Sequence, residues 1–180
     1  MTNYGKLDEH GNLERLRRIP GVCNATPDRL AAYAVANGFI ELEDTPTPGQ
    51  YYTPTPWRLE DGKITRSWEP MELEQVKGMA LERVQGELDM VLSTRTAIDC
   101  PGLGTAIVYD EAALLNALGL EAGDAFITAT DEVLTLTAES VAAVKAALKA
   151  YRAGLYATAT EKRAQINAAA SVDDIAALGY

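Results

Sequence analysis

Reactive side chains are scarce in this chain. It holds one histidine, His10, and two cysteines, Cys23 and Cys100, in 180 residues. Two thiols and one imidazole fall short of the four ligands of a structural zinc site. Neither cysteine has a histidine near it in sequence, so both are expected as inert, buried or half-buried thiols. The segment Met1-Thr2-Asn3-Tyr4 has no apolar core, so no export signal is expected, and with it no structural disulfide. There is no apolar run of about 18 residues, the length a membrane span requires. Positive charge is also short: 16 Lys and Arg stand against 26 Asp and Glu, for a net charge of −10. Residues 1–70 carry 8 basic and 10 acidic residues (−2), and residues 71–180 carry 8 and 16 (−8). That balance argues against nucleic acid as a partner, because phosphate binding needs clustered cations. Arg15, Arg17 and Arg18 form the one basic cluster, which fits a solvated edge.

What is present divides at Trp68-Glu69-Pro70. Seven of the eight prolines and both tryptophans lie at or before Pro70, whereas 24 of the 29 alanines follow it. The expected fold class is α+β: a small N-terminal hairpin and helix module (1–69), a connecting helix (70–97) and an alanine-rich, mainly helical domain with short β-hairpins (98–180). A module of about 70 residues buries too little surface to be very stable alone. The N-terminal part is therefore expected to lean on the rest of the chain or on a partner.

In the first module, alternating residues flank Glu9-His10-Gly11-Asn12, and Gly11 supplies the positive φ of a tight turn. Thr26 is a good N-cap, with Pro27 at the first helical position and Asp28 at the positive end of the dipole. Leu30, Tyr33, Ala34 and Asn37 keep helical spacing to a C-terminal Gly38. Phe39 to Leu42 predicts a strand. Residues 44–56 hold four prolines and predict an extended loop. A second hairpin turns at Asp61-Gly62, and its far strand puts Ile64, Arg66 and Trp68 on one face. Trp57 and Trp68 are expected to pack on the 26–37 helix.

Pro70 then predicts a helix to about Ala97, roughly a 40 Å rod at 1.5 Å per residue. Its stripe of Leu81, Val84, Leu88, Val91 and Ile98, with Arg95 intruding, covers about two and a half heptads, fewer than a coiled coil needs. The stripe can pack in cis or make a homo-oligomer through the 70–97 helix. Beyond it, strands flank Pro101-Gly-Leu-Gly104. Asp110 caps a helix over 111–120, closed by Gly123. Residues 125–128 and 133–136 form a hairpin. Thr137 caps a long helix with the stripe Val141, Val144, Leu148, Tyr151 and Leu155, and a break is expected near Gly154 or Thr160. Ser171 and Asp174 frame a last short helix as a capping box.

No constellation carries chemistry. Pro101-Gly-Leu-Gly104 lacks the Lys-Ser/Thr of a phosphate loop and reads as a hairpin turn. Asp110-Glu111, Asp131-Glu132 and Asp173-Asp174 sit at turns or helix starts, where acids are favoured anyway. His10 reads as an exposed turn residue. The sequence predicts no enzyme, no catalytic residue, no metal and no cofactor. The candidate partner-binding residues are Tyr51, Tyr52 and Trp57, aromatics among Pro46, Pro48, Pro54 and Pro56 in a backbone held extended. The other reading open at this point is that the same rings cover the module's own core.

Two stretches are similar to phage and prophage tail-region proteins. Tyr4-Gly-Lys-Leu, Asn24-Ala25-Thr26-Pro27, Ala36-Asn37-Gly38-Phe39, Thr45-Pro46, Trp57, Asp61-Gly62-Lys63-Ile64 and Trp68-Glu69 follow the order of a short N-terminal module of proteins encoded near tail-fibre genes. Residues 97–178 resemble an alanine-rich C-terminal domain of phage tail proteins. That likeness is carried by Phe126-Ile127-Thr128, Val133 to Ala138, Tyr151, Tyr156, Ile166 to Ala169 and Asp174 to Leu178. This chain departs from the pattern near 101–109, where it lacks an aromatic-glycine hairpin and a tryptophan. The resemblance implies a non-enzymatic structural or interaction protein of the virion tail, made in the host cytoplasm, that attaches or organises fibres at the tail or baseplate. Its partners would be other tail or fibre proteins. The alternative is a tail-fibre assembly chaperone that is not retained in the virion.

Overall fold

The computed structural model describes residues 3–180; Met1 and Thr2, half of the segment read above as free of an export signal, lie outside the described residues. The protein is α+β, and its chain divides into two compact units. The first runs to Val76 and takes in Ser171–Ala177, and the second comprises Lys77–Ala170 with Leu178–Tyr180.

The first unit opens with the expected hairpin, β1 (Asn3–Leu7) and β2 (Leu13–Leu16). Asp8 organises its loop, accepting from the backbone of His10 and Asn12, both at 2.8 Å. Helix α1 (Pro27–Ala36) starts on Thr26, whose hydroxyl accepts from Arg29 N, and ends before Gly38 at φ +70°. Then come β3 (Ile40–Asp44), β4 (Tyr52–Pro54), β5 (Arg58–Glu60), β6 (Lys63–Arg66) and β7 (Trp68–Pro70). Asp61 and Gly62 turn the β5–β6 hairpin at φ +49° and +76°, the paired positive angles of a two-residue I′ turn. Five strands form one sheet in the order β2-β1-β3-β6-β5, with β3 parallel to β6. Leu42 and Ile64, directly opposite each other, are its buried centre. Gly5 sits close by: a Cβ there would approach the Cδ atoms of Leu13 and Leu42 to 2.7 and 2.9 Å, so both side chains would have to shift.

The proline-rich segment is only partly a loop. β4 pairs antiparallel with β7, setting Tyr52 against Pro70 and Pro54 against Trp68. A two-stranded ribbon tolerates proline because each strand has a side that needs no N–H. The strand expected to continue to Trp68 is therefore split between two sheets at Ser67, which with Thr55 forms a hydroxyl and backbone knot.

Helix α2 (Leu73–Ser93) stops short of Ala97. The hydroxyls of Ser93 and Thr94 both donate to Met90 O, at 2.9 and 2.7 Å, and close its last turn. Thr96 already belongs to β8 (Thr96–Cys100), which pairs with β9 (Thr105–Tyr109) across a short 3-10 turn over Pro101–Leu103. Asp110 caps α3 (Glu111–Leu118) through Ala113 N. That helix ends at Gly119, ahead of Gly123, whose N–H is drawn instead to Leu136 O at 2.7 Å. β10 (Ala125–Ile127) and β11 (Val133–Thr135) make the expected hairpin.

Helix α4 (Ala138–Ala168) is unbroken, contrary to the expected interruption. Thr158 and Thr160 turn their hydroxyls back on Gly154 O and Tyr156 O, which lets these residues stay in the helix. Val144, Leu148 and Ile166 are its buried stripe. On α2 the buried stripe of the second unit is Ala80, Val84, Leu88 and Leu92, with Leu81 and Val91 only half-buried. This stripe packs in cis: Val84, Leu88 and Val91 border one groove with Leu155 and Ala159 of α4. Lys162 to Glu87 at 3.0 Å and Lys77 to Asn167 O at 3.2 Å register the two helices antiparallel. Finally, α5 (Val172–Ala177), of the first unit, begins with a reciprocal capping box: Asp174 N donates to Ser171 Oγ and Ser171 N to Asp174 Oδ2. Among the described residues no helix is long and apolar enough to cross a membrane.

Candidate interaction surface

The parallel pairing of β3 with β6 sets Asp44 opposite Arg66 at the end of both strands. Arg66 donates from Nε to Asp44 Oδ1 at 2.7 Å and from Nη2 to Oδ2 at 3.1 Å, a two-pronged grip that lysine cannot copy. Arg15 on β2 reaches the same carboxylate at 3.5 Å. The Arg66 guanidinium lies 4.6 Å from the Trp57 ring centre and 5.1 Å from that of Trp68, and Arg15 stands 5.5 Å from Trp57. Each such stacking is worth about 0.5–1 kcal/mol at a partly wet site. Trp68 is pinned further by its Nε1, which donates to Thr45 O at 2.8 Å, while the Thr45 hydroxyl returns a bond to Arg66 O. Both indoles stay half-buried. They gather around Arg66, where the sequence reading had placed them on α1.

The three residues proposed from sequence part company. Tyr51 is buried, and its carbonyl accepts from Met71 N at 2.9 Å. Tyr52 is half-buried and donates its hydroxyl to the Asp173 carboxylate, at 3.0 and 3.1 Å to the two oxygens. That bond to a carboxylate, aided by partial burial, holds the phenol above the ordinary tyrosine range. Trp57 alone joins the arginine cluster. In sequence, Arg15 reads as part of a solvated edge and Asp173 as a helix-start acid, Arg66 shares one face with Trp68, and Asp44 has no role. The available signal was the spacing of Arg66 and Trp68, two apart in the expected strand that the structure divides between β6 and β7. Nothing local marks Asp44 or Asp173 as their partners.

The remaining candidates fall where their local sequence puts them. His10 is exposed in the β1–β2 loop, 3.5 Å from Glu9. Asp110 and Asp174 are spent on helix caps, and Asp131 lies in the β10–β11 turn at φ +60°. Cys100 is buried as expected, whereas Cys23 is exposed, because it lies in the loop that follows β2 rather than in an element with a buried face. Among the described residues no group of three His, Cys, Asp or Glu side chains lies close enough to hold a metal ion. Tyr109, fully buried, sets its ring edge-on against Tyr151 at 4.8 Å, and burial pushes its hydroxyl upward.

No protein family, curated protein or solved structure matches this chain.

Proposed function

We propose that this chain is a non-enzymatic interaction protein of a phage tail, attaching or organising fibres at the tail or baseplate. The observation that carries the interaction reading is the half-buried Trp57–Arg66–Trp68 cluster, held rigid by Asp44 and Thr45. Trp, Tyr and Arg are the residues that dominate protein interfaces, and a pre-ordered cluster loses little entropy on docking. The tail assignment is supported by the order of short motifs described above. The test is quantitative mass spectrometry of purified particles, with Trp57→Ala compared against the unaltered chain. Fixed stoichiometry in the particle, lost in the variant while its melting temperature holds, supports the proposal. Absence from mature particles sinks it.

One observation favours the second reading, an assembly chaperone. Ile127 and Val133, directly paired across the β10–β11 hairpin, are 62% and 66% exposed, and Leu115 and Leu118 of α3 are 64% and 57% exposed. Apolar side chains left open in this way suit a transient hold on an unassembled partner. Co-purification with fibre chains from lysates, together with absence from particles, selects it.

A further inference from the structure

The five-stranded sheet ends on β2, and a cleft of about 810 Å³ is bordered by Glu14, Arg15 and Leu16 of that strand. One wall is the chain from Glu14 to Cys23, and Tyr33, Asn37 and Phe39 also border it. The wall is anchored by buried Ile19, and a turn bond from Val22 N to Ile19 O at 3.2 Å shapes it. Four cations line the cleft, Lys6, Arg15, Arg17 and Arg18, against one anion, Glu14. Lys6 sits 4.4 Å over the Phe39 ring. Arg15 shares Asp44 with Arg66, but Arg17 and Arg18 are exposed. In a chain of net charge −10 this is an isolated positive cleft.

Two features coincide here. An edge strand offers backbone N–H and C=O groups to another extended chain. The cations beside it select the sign of that chain's side chains. We infer that the β2 edge accepts an extended acidic segment of a partner protein as an added strand, its Asp or Glu side chains facing Arg17, Arg18 and Lys6. The cluster read from sequence as a solvated edge thus becomes the selective element of a binding cleft. This inference is independent of the tail assignment.

The test is fluorescence anisotropy of the full chain with a short labelled peptide alternating Glu and Thr. Saturable binding that weakens with added salt is expected. Arg17→Glu/Arg18→Glu reduces affinity about tenfold or more, because two attractions become repulsions. Arg17→Gln/Arg18→Gln gives a smaller loss in the same direction, and thermal melting checks that both variants fold. A peptide N-methylated at alternate residues binds far more weakly, because its blocked N–H groups cannot join the ladder. The inference is overturned by unsaturable binding or by equal affinity for the N-methylated peptide. Tighter binding of a single-stranded oligonucleotide overturns it in favour of nucleic acid. Salt-sensitive self-association that the arginine variants abolish overturns it in favour of a second copy.

Discussion

Arg66→Ala is the sharpest perturbation of the proposed surface. Arg66 makes two charge-assisted bonds to Asp44, at 2.7 and 3.1 Å, with side chains 22% and 35% exposed. At that exposure the fork is worth about 1 kcal/mol. Two ring contacts, at 4.6 and 5.1 Å, add about 0.5 kcal/mol each. Arg15 remains at 3.5 Å from Asp44 and 5.5 Å from Trp57, so neither partner is left bare. The expected loss is therefore about 2 kcal/mol. Arg66→Lys keeps the charge but loses the fork and the flat face, and about 1 kcal/mol is expected. Both tryptophans of the chain, Trp57 and Trp68, lie in the first unit. Urea unfolding followed by tryptophan fluorescence therefore reports on that unit, while far-ultraviolet circular dichroism is dominated by the long helices of the second. The fluorescence midpoint should fall in both variants. If Arg66→Lys unfolds with the unaltered chain, the planar fork is not what holds the cluster, and the argument for a pre-ordered surface fails with it.

Three further outcomes follow from the same geometry. Glu87 accepts from Lys162 at 3.0 Å, which holds its carboxyl below the ordinary range. A depressed carboxyl contributes stability above its unfolded value that is lost as pH falls through the folded one. Glu87→Gln should therefore lose about 0.5 kcal/mol at neutral pH, and the gap to the unaltered chain should close in acid titration of the urea midpoint. Asp173→Asn removes the carboxylate that raises Tyr52, so spectrophotometric titration should show one phenol returning to the ordinary range, and an unchanged curve refutes the pairing. A Cβ on Gly102 would collide with that of Ala143 on α4, so Gly102→Ala should destabilise the second unit by about 1–3 kcal/mol, with Ala143→Gly recovering part of the loss in calorimetry.

The local grammar of this chain was legible before any coordinates. Thr26, Asp110, Thr137 and the Ser171–Asp174 pair cap the helices they were expected to cap. Gly11 and the Asp61-Gly62 pair turn their hairpins at positive φ. Each of these rests on bonds that close within about four residues, where residue type and spacing nearly suffice. The misses have local causes as well. Residues 52–54 were hidden as a strand by Pro54 and the prolines around it, which a two-stranded ribbon tolerates, and α4 passes Thr158 and Thr160 because their hydroxyls bond backward along the helix.

The sequence by itself thus determined the α+β class, most helix starts, the hairpin turns, and a tryptophan-bearing segment distinct from an alanine-rich one. Only the tertiary structure decided that β3 lies parallel to β6, and with that which carboxylate meets Arg66. It also decided that α2 buries its stripe against α4, and that Tyr52 finds Asp173, 121 residues away. Such pairings depend on which distant chain segment the packed core brings near. Residue spacing encodes the faces of individual elements, while the identity of the opposing face emerges from packing the whole chain.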